Sequence, residues 1–302
     1  MKKLSKKNAD FELNTDTFSQ AVGDSTYDQG GRVAVNASST HTSGDNFVTA
    51  KGTVLLTTDG TTGVDDAYIQ MGNSTVSVQA GRFEGVNLFP LGKDTMVSHA
   101  GDVTVYNAGD VRGRAGSKGG QFALHVNASD SVKFEVDTIF GDADSKAGAH
   151  TSAVSGIRPS VSFTTDMATF TVGYESVKYD LTGGGDVNKS GFGATVNFNV
   201  GDANINLAAT SGKDDNTDQK VSSLAANMTY GNFGLGVISS SEDNTTGSDP
   251  SVMTTYVAYT MPLLDIDNAS VTLAGSYSTA DDVAVGTNDK TTAARVRFNY
   301  SF

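Results

Sequence analysis

His41, His99, His125 and His150 are the only imidazoles in the chain, and no two of them stand at a metal-ligand spacing. With no cysteine, thiolate metal sites, disulfides and cysteine nucleophiles drop out as well. Serine is abundant, yet no serine, histidine and carboxylate form a nucleophile–base pattern, so no catalytic triad is visible and no enzyme is expected. Carboxylates are the plentiful chemistry. Asp59 with Asp65 and Asp66, Asp214 and Asp215 with Asp218, and Asp281 with Asp282 could offer oxygen ligands to Ca2+ or Mg2+. None has the spacing of an EF-hand loop, and solvated acidic connectors are the simpler reading, so no cofactor is expected. The 34 acids against 21 Lys and Arg, a formal charge of −13, argue against nucleic acid as a partner.

The elements that must position these groups are strands. Phe192, Ala194, Val196, Phe198 and Val200 share one face, and Gly193, Thr195, Asn197 and Asn199 the other. Val132, Phe134 and Val136 likewise oppose Lys133, Glu135 and Asp137, and Phe122, Leu124 and Val126 oppose Gln121, His125 and Asn127. This period of two recurs along the chain, and no window shows a convincing helical stripe. Sixteen candidate strands result, beginning with 9–20, 31–40 and 46–57 and ending with 269–280 and 291–302. No apolar run is long enough for a membrane helix.

Connectors alternate between short turns (72–74, 128–130, 165–166, 201–202, 231) and longer loops (21–30, 58–64, 85–119, 142–154, 181–189, 213–218, 242–251, 281–290). An up-and-down barrel crossing an asymmetric membrane produces that alternation, and an even strand number puts both termini on the short-turn side. The polar strand faces carry Ser, Thr, Asn, Gln and charges uniformly, with no second apolar sheet to cover them. Aromatic residues flank the short turns: Phe163 and Phe170, Tyr230 and Phe233, Phe198, and the terminal Phe298, Tyr300 and Phe302. Aromatic rings suit a membrane interface. The fold expected is all-β, a 16-stranded antiparallel up-and-down transmembrane barrel with apolar residues outward. A water-soluble sandwich or solenoid is the weaker alternative. The start, residues 1–8, is basic but lacks the apolar stretch of a secretory signal. It reads as a native basic tail, or an altered or tagged N-terminus, before a single domain at 9–302.

At this point the chain resembles the Gram-negative general porins, over residues 9–302. The resemblance rests on the strand number, the connector alternation, the ending Arg297-Phe298-Asn299-Tyr300-Ser301-Phe302, and the long connector 85–119 after the fifth strand. Gly81-Arg82-Phe83-Glu84-Gly85 is similar to the way porins leave that strand for the constriction loop. The resemblance implies a bacterial outer-membrane homotrimer, in contact with lipid and lipopolysaccharide. It also implies that 85–119 folds into the lumen of a water-filled channel passing small hydrophilic solutes and ions by diffusion. Alternatives are a porin specific for anionic phosphate compounds or oligosaccharides and, in a different class, a surface adhesin or structural β-protein. The loop is not disordered by composition, since it carries apolar anchors from Val86 to Tyr106.

Strand parity then assigns lumen charges. Arg32, Lys51, Arg295 and Arg297 all fall on the polar face, and in a closed barrel the last strand neighbours the first, so they share one wall. Arg82 joins them by resemblance only; its parity matches the outward Val76 and Val78, so a bulge or strand end must intervene. Glu84, Asp94, Asp102 and Asp110 on the long connector are the candidates for a facing acidic side. Lys93, Arg112, Arg114 and Lys118 on the same connector leave its net sign open.

Overall fold

Alternation of side chains organises the whole molecule. In the computed structural model, which describes residues 2–114, 119–142, 153–180 and 185–302, Leu207, Leu224, Leu235, Val257 and Leu273 lie exposed on one surface. Their neighbours Asn206, Ser223, Tyr256 and Thr272 are buried on the other. The expected inversion, apolar outside and polar inside, therefore holds.

The strands are β1 (Lys2–Gln20), β2 (Thr26–Ser43), β3 (Asn46–Thr57), β4 (Thr62–Gly72), β5 (Val76–Arg82), β6 (Gly119–Asn127), β7 (Val132–Asp142), β8 (Ala153–Thr164), β9 (Ala168–Asp180), β10 (Asp186–Val200), β11 (Ala203–Asp214), β12 (Gln219–Tyr230), β13 (Phe233–Asp243), β14 (Ser251–Pro262), β15 (Ala269–Asp281) and β16 (Lys290–Ser301). Each pairs antiparallel with its sequence neighbours, and β1 pairs with β16, so the sheet closes and leaves no edge. Closure is completed at the chain end, where Ala9 and Phe302 exchange backbone hydrogen bonds at 2.8 Å.

Several strands start earlier than periodicity predicts. β1 begins at Lys2 rather than 9, so residues 2–8, expected as a tail, pair with β2. β2 begins at Thr26 rather than 31 and β4 at Thr62 rather than 65. The connectors 21–25 and 58–61 are correspondingly short, and the length alternation is less steep than expected. Apolar alternation marks only the band that meets lipid, whereas the hydrogen-bond ladder continues where both faces are polar. The tight turns use left-handed glycine, Gly201 at φ 58° and Gly231 at φ 53°. Aromatics gather beside them on the outer surface: Phe163 is the cross-strand partner of Phe170, and Phe233 packs on Tyr259 with ring centroids 4.5 Å apart. Lys118, His150 and most of the 142–154 connector lie outside the described residues.

Candidate functional site

Residues 83–114, between β5 and β6, lie along the inner wall. Pro90 O accepts from Asn206 and Asn227, at 3.2 and 2.8 Å. The Leu91 carbonyl takes the Tyr256 hydroxyl at 3.1 Å, Ser98 N reaches Ser276 and Ala100 N reaches Ser278. On the return, Thr104 O accepts from Ser240, Thr104 N donates to Glu242, and Tyr106 N donates to Ser223. All these partners belong to the polar parity of β11–β15.

Apolar anchors strengthen the contact. Leu88 and Val111 are fully buried, and Phe89 and Met96 nearly so. Each such burial contributes about 1.5–3 kcal/mol. The wall is shaped to receive them. A Cβ on Gly173 or Gly193 would stand 2.8 or 2.9 Å from Leu88, and one on Gly191 would stand 2.2 Å from the Tyr106 hydroxyl. The inner face is consequently not uniformly polar, as the sequence suggested: Ile139, Val177, Ile238, Val252 and Tyr256 face inward and are buried. Three of the apolar clusters they join take in loop residues Val111, Phe89, Ala100 and Val103.

Arg32 on β2, Lys51 on β3 and Arg295 and Arg297 on β16 each lie against a carboxylate. Arg295 and Asp16 meet side on, with Nε–Oδ1 at 2.7 Å and a second nitrogen on Oδ2 at 2.6 Å. Lys51 bonds Asp66 at 2.8 Å, and Arg32 lies 3.7 Å from Glu12. Arg297 pairs with Glu12 at 3.3 Å and with Asp94 from the loop. The expected separation into a basic wall and a facing acidic loop is therefore corrected. Four carboxylates, Glu12, Asp16, Asp65 and Asp66, interleave with the cations, and the loop acid Asp94 crosses to join them.

The other expected positions divide. Glu84 binds Arg112 at 2.9 Å and Arg114 at 3.1 Å, within the root of the loop. Arg114 also reaches Asp65 at 2.9 Å and Asp66 at 3.3 Å. Arg82 is the last residue of β5, in register opposite Ala67, and donates to the Val64, Asp65 and Arg114 carbonyls. It thus braces the root of the loop. Asp102 is exposed at a left-handed turn (φ 54°), and Asp110 lies against Glu175 through its amide, away from the basic wall. Burial pushes the His99 imidazole down, leaving it a neutral partner for the Thr254 hydroxyl at 2.8 Å. Burial, then Glu175, pushes the Tyr106 phenol up, so it remains a donor to that carboxylate at 2.7 Å.

Among the described residues no group of three His, Asp or Glu side chains is arranged to hold a metal ion. The acidic connectors have other partners. Asp215 and Asp218 bind Lys213, while Thr57 and Thr61 hydrogen-bond Asp59 and hold its carboxyl below the usual range. Sequence reasoning overlooked Glu12, Asp16, Arg158 and Glu175. Parity would have found the first two, since they alternate with Phe11, Leu13 and Thr15. His125 lies 3.3 Å from Glu135.

Comparison with known proteins agrees with this geometry. A family model described as porin-like glycoporin RafY matches residues 12–302. No curated protein matches the sequence. Among solved structures, the anion-selective porin from Comamonas acidovorans is 13% identical, with both chains covered completely and a TM-score of 0.70. OmpT of Vibrio cholerae in its trimer form is 14% identical over 99% of each chain, with a TM-score of 0.69. A mutant porin of Rh. blastica is 15% identical over 99% of this chain and 100% of that one, with a TM-score of 0.64.

Proposed function

The chain belongs to the porin-like glycoporin family, and from that premise we propose that its inner-wall loop is the constriction that sets which solutes pass. The protein is an outer-membrane channel for passive diffusion of solutes. One observation carries the proposal. Among the described residues, the loop's hydrogen bonds and ion pairs reach β4, at its root, and β6–β16 with their connectors, while Met96 packs near Phe18 of β1. The open part of the cross-section then lies against β1–β3, beside the ion pairs of Glu12, Asp16, Arg32 and Lys51.

Alternating fixed charges along that wall create a local transverse field that orders water and favours small, dipolar, hydrophilic solutes. Because each cation is paired, ion selectivity is weak. An oligosaccharide-specific path would need aromatic rings open to the lumen. Of the inward rings, Phe89, Tyr179 and Tyr256 are buried, and Tyr68 on β4 is half-buried against Phe83 at 6.1 Å, which favours the general channel over a sugar-selective one. The functional unit is a homotrimer, as the trimeric Vibrio cholerae neighbour supports, and its outer surface meets lipid and lipopolysaccharide.

Shortening the loop between 88 and 110 tests the reading. Conductance in planar bilayers and uptake of larger solutes into liposomes should both rise, with the barrel still folded. A folded, shortened variant with unchanged conductance would refute it.

A further inference from the structure

Three inward side chains stand on adjacent strands at one level: Asp137 on β7, Arg158 directly opposite it on β8, and Glu175 on β9. Their exposures are 0%, 0% and 1%. Arg158 lies 3.6 Å from each carboxylate, beyond hydrogen-bond reach. Two of its nitrogens bond the loop instead. Nε donates to the Ala108 carbonyl at 3.1 Å, and a terminal nitrogen donates to the Val86 carbonyl at 2.8 Å. Those carbonyls belong to opposite limbs, so one guanidinium ties the outgoing chain to the returning chain.

Neighbouring acids take the amides of the same limbs. Glu135 accepts from Val86 N at 2.6 Å, and Glu175 accepts from Asp110 N and Val111 N at 3.1 Å each. Ala108 is left-handed, at φ 51°, a conformation disfavoured for any residue with a β-carbon. The chain at this point is held by the wall rather than by its own preference. The fit is also close: a Cβ on Gly85 would meet the Asp137 carboxylate at 1.8 Å.

From this geometry we infer that Arg158 is the positioning residue that fixes the loop against the wall and thereby sets the channel width. The inference rests on the loop being the constriction. Asp137 and Glu175 flank the guanidinium at 3.6 Å, and a cation fully buried at that point has no solvated alternative nearby. The carbonyl bonds then transmit that fixed position to the loop. Losing two charge-assisted hydrogen bonds should raise the undocked fraction of the loop at least about 100-fold.

Arg158→Met alone would strand two buried carboxylates and could prevent folding. The decisive comparison therefore uses the triple variant R158M/D137N/E175Q beside the double variant D137N/E175Q, which keeps both carbonyl bonds. Single-channel recording, liposome uptake of graded sugars and heat-modifiable mobility are measured on each, with the loop-shortened protein as reference. The triple variant is expected to fold, to show a noisy spread of open levels and to admit larger sugars; the double variant, which lacks the Glu175 carboxylate that also holds the loop but keeps the Arg158 bonds to Ala108 and Val86, is expected to be quieter and to admit smaller sugars than the triple. A folded triple variant with one quiet level and an unchanged size limit overturns the inference. So does a double variant as noisy as the triple. If shortening the loop itself changes nothing, the constriction reading fails, and that result is distinct from failure of the clamp alone.

Discussion

Arg295 and Asp16 are direct cross-strand partners at the junction of β16 and β1, and their side chains meet through two parallel hydrogen bonds of 2.7 and 2.6 Å. The barrel is closed at this junction, and a fixed cation is neutralised on the open side of the lumen. Asp16→Asn should leave Arg295 unbalanced and cost about 1.5–3 kcal/mol of stability. Reversal potential across a low-salt gradient should move toward anions. The shift should shrink at 1 M salt, where the Debye length is about 3 Å. No movement at low salt would remove this pair from the conduction path.

The opposite substitution should act with the opposite sign. Replacing Lys51, Arg295 and Arg297 by neutral residues leaves Asp66, Asp16, Glu12 and Asp94 without their partners. Reversal potential should then shift toward cations. A shift toward anions, or none, would contradict the placement of these groups beside the permeating ions.

The outward and inward faces should respond differently to charge. Leu273 is 44% exposed on the outer surface, where lipid surrounds it. Leu273→Lys should cost about 2–4 kcal/mol near the bilayer midplane in a reversible folding assay. Lysine at Thr195, on the lumen face, should chiefly alter conductance. Equal losses at both positions would argue for a core on each side of the sheet.

Phe302 closes the ring by exchanging backbone bonds with Ala9, and its side chain stacks on Tyr300 with centroids 5.5 Å apart. Deleting it should lower the amount of heat-modifiable protein in the outer membrane while synthesis continues. Normal assembly after the deletion would show that closure does not depend on this residue.

Gly191 provides the space that Tyr106 occupies. Gly191→Val should displace that ring and change conductance without preventing closure of the barrel. Gly30→Ala, where a Cβ meets nothing within 4 Å, provides the control. Identical conductance in the two variants would mean that the ring does not shape the aperture.

Strand number, the two faces and the position of the long connector were legible in the sequence, because alternation and connector length are local properties. Arg32, Lys51, Arg295 and Arg297 could be assigned to the lumen for the same reason: a side chain on a strand can point only to one face or the other. Strand ends were less legible, as at Lys2 and Thr26, because the ladder extends beyond the lipid-facing stripe. Register across the closing junction sets Asp16 against Arg295, and register between β1 and β2 sets Glu12 against Arg32. The course of the loop also needed the tertiary structure. Leu88 finds its place between Gly173 and Gly193, more than eighty residues away in sequence, and Asp94 reaches across to Arg297. Arg158 looks like an ordinary polar position until barrel curvature and the returning loop bury it between Asp137 and Glu175. Periodicity tells which face a residue occupies; only the closed barrel tells what it meets there.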